Sequence, residues 1–139
     1  MNIQSLLCQR GVLLFLLGLV TGLGQGVYRN PRAGLSAHLT ATQAGIALVA
    51  FGLLWPHLAL APSWEQPLAQ PLWISFYVLW FAFLLAAIFG AGKVIPIAGT
   101  GHRAAKWQEM TVSGLMIAGS LASLAAVAAI VVQWSWRAA

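Results

Sequence analysis

At 139 residues the chain has the length of one ordinary soluble domain, yet 60% of it is hydrophobic and only 6% charged, where such a domain carries about a quarter charged residues. That balance excludes a globule solvated by its own surface charge. The net charge of +5 reads as basic residues flanking a membrane and not as a nucleic-acid footprint. A single cysteine, Cys8, excludes an internal disulfide, a C-x-x-C-H haem attachment and a C-x-x-C metal half-site.

Four apolar runs reach the roughly 20 residues needed to cross a bilayer, and they predict helices over about 6–27, 35–55, 72–92 and 110–136. The fold class expected is all-α, a four-helix transmembrane bundle with residues 1–139 as one membrane domain. In the first run, Arg10 followed by GVLLFLLGLV has the look of a signal peptide, but no small-residue cleavage site follows and glycines continue at helical spacing. It is read as a helix. Cys8, flanked by apolar residues, is read as inert packing. Gly18 and Gly22, with Gly26 a turn later, form a small-residue stripe of the kind that lets helices approach closely in lipid.

Trp55-Pro56 ends the second run, and Pro62, Pro67 and Pro71 are expected to keep the following connector out of helix, with Trp64 and Trp73 in the interfacial belt. His57 falls on this side and reads as an exposed interfacial residue. The fourth run carries Gly114, Ala118, Gly119 and Ser123 as a second small-residue stripe. No tandem repeat or low-complexity tail is visible. Basic residues concentrate in two loops, Arg29 and Arg32 in the first, Lys93, Arg103 and Lys106 in the third, against one arginine near each terminus, Arg10 and Arg137. The positive-inside rule puts loops 28–36 and 93–109 in the cytoplasm of what reads as a bacterial inner-membrane protein.

Those two polar loops hold the candidate chemistry. They bring Tyr28, Arg29, Arg32, His38, His102, Arg103, Lys106 and Glu109 towards one face. Glu109, at the start of the fourth helix, is either a residue favoured by the helix dipole or part of a site. Tyr28 is either a proton handler or an interfacial anchor. His38 is followed by Ala41, Gly45 and Gly52, so its helix face is nearly flat beyond the imidazole. A planar ligand can lie there, with the imidazole reaching an iron at its centre. The plainer reading makes His38 a helix-start histidine bonded to a loop carbonyl, its small neighbours serving helix packing. Arg29, Arg32 and Arg103 are suited to pair with haem propionates, or are topology charges alone.

The segments NPRAGLSAHL, GLLWPHL and PIAGTGHRAAKWQE resemble the hydroxylaminobenzene mutase family, small four-span membrane enzymes that rearrange arylhydroxylamines to 2-aminophenols. The resemblance covers nearly the whole chain. More remotely, Ala37-His38 with Gly45 seven residues on resembles styrene oxide isomerase, a four-helix membrane enzyme that binds haem b between the subunits of a trimer through such a histidine. The resemblance implies a small aromatic substrate, haem b ligated at the metal by His38, a homo-oligomer, possible in trimeric form, and no nucleic-acid partner. The family pattern has an acid two residues after the histidine and an asparagine six after it. Here those positions are Thr40 and Ala44, with Gln43 beside the latter as the nearest amide.

The chemistry so implied weakens an N–O bond, develops positive charge over the ring and returns oxygen to the ortho carbon. A ferric haem with one axial ligand from His38 can act as Lewis acid, a dry site keeps water from trapping the cation, and Tyr28, Gln43 and His102 are candidates for the proton. Two other classes compete. A proton-coupled exporter wants an intramembrane carboxylate, and Glu65 and Glu109 sit at loops or helix ends. An electron-carrying cytochrome would use His38 and His102 on one iron.

Overall fold

The computed structural model describes residues 2–138, with side chains described as far as Trp134; the side chains of Trp136, which closes the fourth predicted span, and of Arg137, counted in the topology argument, lie outside the described residues. Four helices follow in chain order: α1 (Ile3–Leu23), α2 (Pro31–Leu54), α3 (Pro62–Phe89) and α4 (Lys106–Ala138), with a 3₁₀ turn over Trp55–Leu58. Each is long and apolar enough to cross a membrane, so the chain is an all-α integral membrane protein.

The helix starts have local causes. Asn2 caps α1, its side chain accepting from the Ser5 amide at 2.8 Å. Asn30 caps α2, with Pro31 at the first helical position, where the missing N–H costs nothing and the fixed φ suits the helix. The second helix therefore begins four residues before its expected start. α3 departs further from expectation, beginning at Pro62 and carrying Pro67 and Pro71 inside it. Proline at the first position is ordinary. Pro67 and Pro71 deprive the carbonyls of Ser63 and Pro67 of their helical donors, but both of those residues are exposed in the first turns of the helix. The prolines thus lie within the helix instead of keeping the connector out of it, which shrinks to residues 59–61. Gly90, at φ 73, ends α3 in the left-handed conformation.

The helices are not packed evenly. α1 and α2 form the closest pair; α3 touches α2, α4 and, less extensively, α1, while α4 packs chiefly on α3. The α1/α2 seam is built from missing side chains. A Cβ on Gly45 would stand 2.7 Å from the Gly11 oxygen and 2.7 Å from the Phe15 amide nitrogen; one on Gly18 would meet Ala41 and Thr42 at 2.9 Å, and one on Gly52 the Cys8 sulfur at 2.6 Å. Cys8 is thus packing, as expected. Gly18 and Gly22 are seam residues, whereas Gly26 and Gly114 face open space and Gly119 packs on Leu79. Because the obstacles at Gly45 are backbone atoms, Gly45→Ala has no side chain to displace. It is expected to cost about 1–3 kcal/mol, read as a lowered thermal midpoint of the detergent-solubilised protein; an unchanged midpoint would contradict the seam.

Two buried clusters divide the bundle lengthwise. One, with Leu7, Leu14, Leu48, Trp55, Leu68, Leu72 and Ile130, lies towards the 59–61 connector. The other is made of small residues, Ala33, Ala82, Ala86, Ala87 and Ala91 with Val112 and Met116, and lies under the two polar loops. Those alanines bring the start of α2 against the end of α3.

Candidate active site

The two polar loops meet, as their parity requires, and the residue that joins them is Asn30. It is fully buried. Its backbone N–H donates to the Ala87 carbonyl at 3.0 Å, its side-chain oxygen accepts from the Ala33 amide at 3.1 Å, and its Nδ2 donates to the Ala98 carbonyl at 2.9 Å. One side chain thereby starts α2 and pins the loop between α3 and α4. A buried amide is tolerated only when its groups are paired, and both ends of this one are. Asn30 was not among the expected site residues, although an asparagine followed by proline before an apolar run is a legible helix-start signal.

Tyr28 is held by the same corner. Its ring lies against Gly24 and Gly34, and its O–H donates to the Thr21 carbonyl at 3.0 Å. The Thr21 hydroxyl in turn donates to the Leu17 carbonyl at 2.7 Å and accepts from the Trp80 indole N–H at 3.1 Å. The Tyr28 hydroxyl closes the end of α1. Thr21 and Trp80, which tie α1 to α3 here, carried no signal in the sequence.

His38 lies in the α1/α2 seam, half-buried, with Nδ1 2.8 Å from the Gly18 carbonyl oxygen. A carbonyl can only accept, so Nδ1 carries a proton, and Nε2 is the nitrogen at which this ring can present a lone pair. Gly22 makes the approach possible, since a Cβ there would stand 2.8 Å from Nδ1 and 3.2 Å from Cε1. The acceptor is a helix carbonyl and not a loop carbonyl. The flat face expected to receive a planar ligand is otherwise occupied: Ala41, Gly45 and Gly52 are buried against α1, because small residues in lipid draw a helix onto them. Two turns and more further along the seam, on its outward flank, lies a shallow apolar groove of about 350 Å³ whose walls include Val12 and Phe15 of α1 and Gly45, Ile46 and Val49 of α2; His38 does not line it.

Gln43 is exposed midway along α2 with no hydrogen bond among the described residues. Arg29, Arg32 and Arg103 are likewise exposed, and Arg29 runs past the end of α3, 3.5 Å from where a Gly90 Cβ would be.

The 90–105 loop forms a separate hollow. Glu109 organises it, its two oxygens accepting from the amides of Gly92 at 3.1 and 3.3 Å, Lys93 at 3.0 Å and Ala104 at 3.1 Å. Its carboxylate is the loop's internal clasp. His102 lines this hollow beside Lys93 and Arg103, with Nδ1 3.2 Å from the Thr100 carbonyl oxygen. Nothing brings His102 to His38 within one chain: His38 lies in the α1/α2 seam and does not line the hollow, and no described contact joins them.

Comparisons with known proteins agree with this geometry in kind. The family model described as styrene oxide isomerase matches residues 3–135. Two relatives from Ectopseudomonas oleovorans are similar over most of their length: hydroxylaminobenzene mutase HabA, 42% identical over 114 residues, covering 81% of this chain and 84% of that one, and hydroxylaminobenzene mutase HabB, 39% identical over 134 residues, covering 96% and 80%. With four spanning helices and a family match along nearly its whole length, this chain belongs to the styrene oxide isomerase family and is a membrane isomerase.

Proposed function

We propose that the protein rearranges an arylhydroxylamine to an ortho-aminophenol inside the membrane, at the outward flank of the α1/α2 seam, with haem b held by His38. The observation that carries this reading is the His38 geometry. The bond to Gly18 fixes the tautomer and ring orientation and leaves Nε2 as the ligating atom, the arrangement that makes a histidine a good metal ligand. This one imidazole is what supports haem at that position, and Arg29 and Arg32, exposed at the same end of the bundle, are the carboxylate partners the reading would use. When bound, haem supplies Lewis acidity towards the hydroxylamine.

The chain's own residues do the rest. The apolar groove of Phe15, Ile46 and Val49, deeper along the same seam than His38, offers the aromatic substrate a dry approach from the bilayer. The N–O bond breaks, a C–O bond forms at the ortho carbon, and the ring proton lost there is balanced by one gained at nitrogen, so no net electrons are required. Gln43, an amide on the bilayer-facing surface, is suited to orient the hydroxylamine group. An unpartnered amide in hydrocarbon is costly, which favours a second copy covering this face in a homo-oligomer, with the trimer of the styrene oxide isomerase resemblance as its expected form.

Anaerobic incubation of the purified protein with hydroxylaminobenzene tests the reading. The expected product is 2-aminophenol, formed without reductant and without oxygen from labelled water. No turnover, or para product carrying solvent oxygen, would refute it.

A further inference from the structure

The loop hollow between the end of α3 and the start of α4 has no part in the seam chemistry, and its composition asks for a ligand of its own. Its volume is about 500 Å³, and it opens between Gly92–Lys93 on one side and residues 99–104 on the other. This end of the molecule carries five cations, Arg29, Arg32, Lys93, Arg103 and Lys106, against one carboxylate, Glu109. That carboxylate also lines the hollow, close enough to Lys93 to feel its charge, but its oxygens are already occupied by three backbone amides. Lys93 and Arg103 are both exposed at the hollow, and neither side chain has a hydrogen-bond partner among the described residues.

The backbone adds donors. The amides of Gly101 and Arg103 make no hydrogen bond among the described residues, in contrast to those of Gly92, Lys93, Gly99, His102 and Ala104. Gly101 is held at φ 81 with open space where a side chain would be. The two free amides flank that of His102, which donates to the Gly99 carbonyl; backbone amides left free around a left-handed residue favour an anion. Apolar side chains flank the same loop: Ile97 is 87% exposed and Trp107 62%, with Trp107 braced edge-on against Phe89 at 5.6 Å. A basic, donor-rich hollow beside protruding apolar groups at a membrane surface has the chemistry of a phosphate group attached to an acyl chain.

We propose that this hollow binds a phosphate group, with Lys93 and Arg103 as its charged partners and the Gly101 and Arg103 amides as neutral donors. The phosphate of an anionic phospholipid and free inorganic phosphate share that chemistry, and the test separates them. The thermal midpoint of the full-length protein in neutral detergent is measured with added short-chain phosphatidylglycerol, with phosphatidylcholine, with inorganic phosphate, and with chloride at matched ionic strength. A rise of about 4 °C near ten-fold saturation is the expected shift for a chain of this size. A rise with phosphatidylglycerol alone identifies the lipid headgroup; a rise with inorganic phosphate identifies a soluble ligand.

The doubly substituted Lys93→Gln, Arg103→Gln protein, checked for native helicity by circular dichroism, should lose the rise, and Gly101→Val alone should weaken it by straining the backbone that carries those amides. Equal midpoints under all four conditions would overturn the proposal. So would a rise that the double variant shows undiminished, or one that chloride or phosphatidylcholine reproduces in full.

Discussion

Replacing His38 with alanine is expected to reduce isomerisation to the uncatalysed rate and to abolish the haem Soret band of the purified protein. The argument is geometric. The imidazole is positioned by the Gly18 carbonyl on one nitrogen and admitted by the absent side chain of Gly22, so nothing else in the seam can present a lone pair at the same place. Gly22→Ala should act through the same histidine without removing it. A Cβ 2.8 Å from Nδ1 forces the ring off the Gly18 carbonyl, and a shifted Soret maximum with slowed turnover should follow. His57→Ala is the control, since His57 lies exposed in the 3₁₀ turn beyond α2. His102→Ala should leave the spectrum unchanged. A His38→Ala protein with full absorbance and full rate would remove the basis of the proposed function.

The largest stability effect is expected at Asn30. Asn30→Ala removes the cap of α2, worth about 1 kcal/mol, and leaves the partly buried Ala98 carbonyl without its donor, worth about 1–2 kcal/mol more. A loss of about 2–3 kcal/mol should appear as a lowered unfolding midpoint. Amide exchange should also accelerate selectively over the 90–105 loop, because that loop loses its tie to α2. Asn30→Asp separates the two contributions: it keeps the acceptor for the Ala33 amide but loses the donor to Ala98. Uniform exchange across the loop and the helices in Asn30→Ala would show that the tie does not hold the loop.

The helices were legible in the sequence because lipid imposes a length and a composition on anything that crosses it, and four runs met both. The failures have physical reasons. Proline was read as a breaker at 62, 67 and 71, but the carbonyls it orphans lie in exposed first turns. His38 was visible as an imidazole amid small residues, and those small residues allowed two readings, an open face for a ligand or a packing face for a helix. Smallness alone does not say whether a helix or a cofactor fills the space, and here α1 does. Asn30 carried a helix-start signal, but its bond to Ala98 spans 68 positions, and no local pattern encodes that. Glu109 illustrates the reverse. Its position at a helix start suggested a favourable dipole, and the structure gives it amides from both ends of the preceding loop.

The seam has a consequence for how the protein is made. Everything that fixes the His38 imidazole, the Gly18 acceptor, the Gly22 gap and the histidine itself, lies within residues 18–38 and within one helical hairpin. A ribosome delivers that hairpin to the membrane before α3 and α4 exist. Its two helices can close on each other without them, since backbone meets backbone at Gly11 and Gly45. The His38 imidazole is therefore oriented early in biogenesis, while the hydrogen bond from Asn30 to Ala98 can form only after the third helix has been inserted and the chain has turned back towards the fourth.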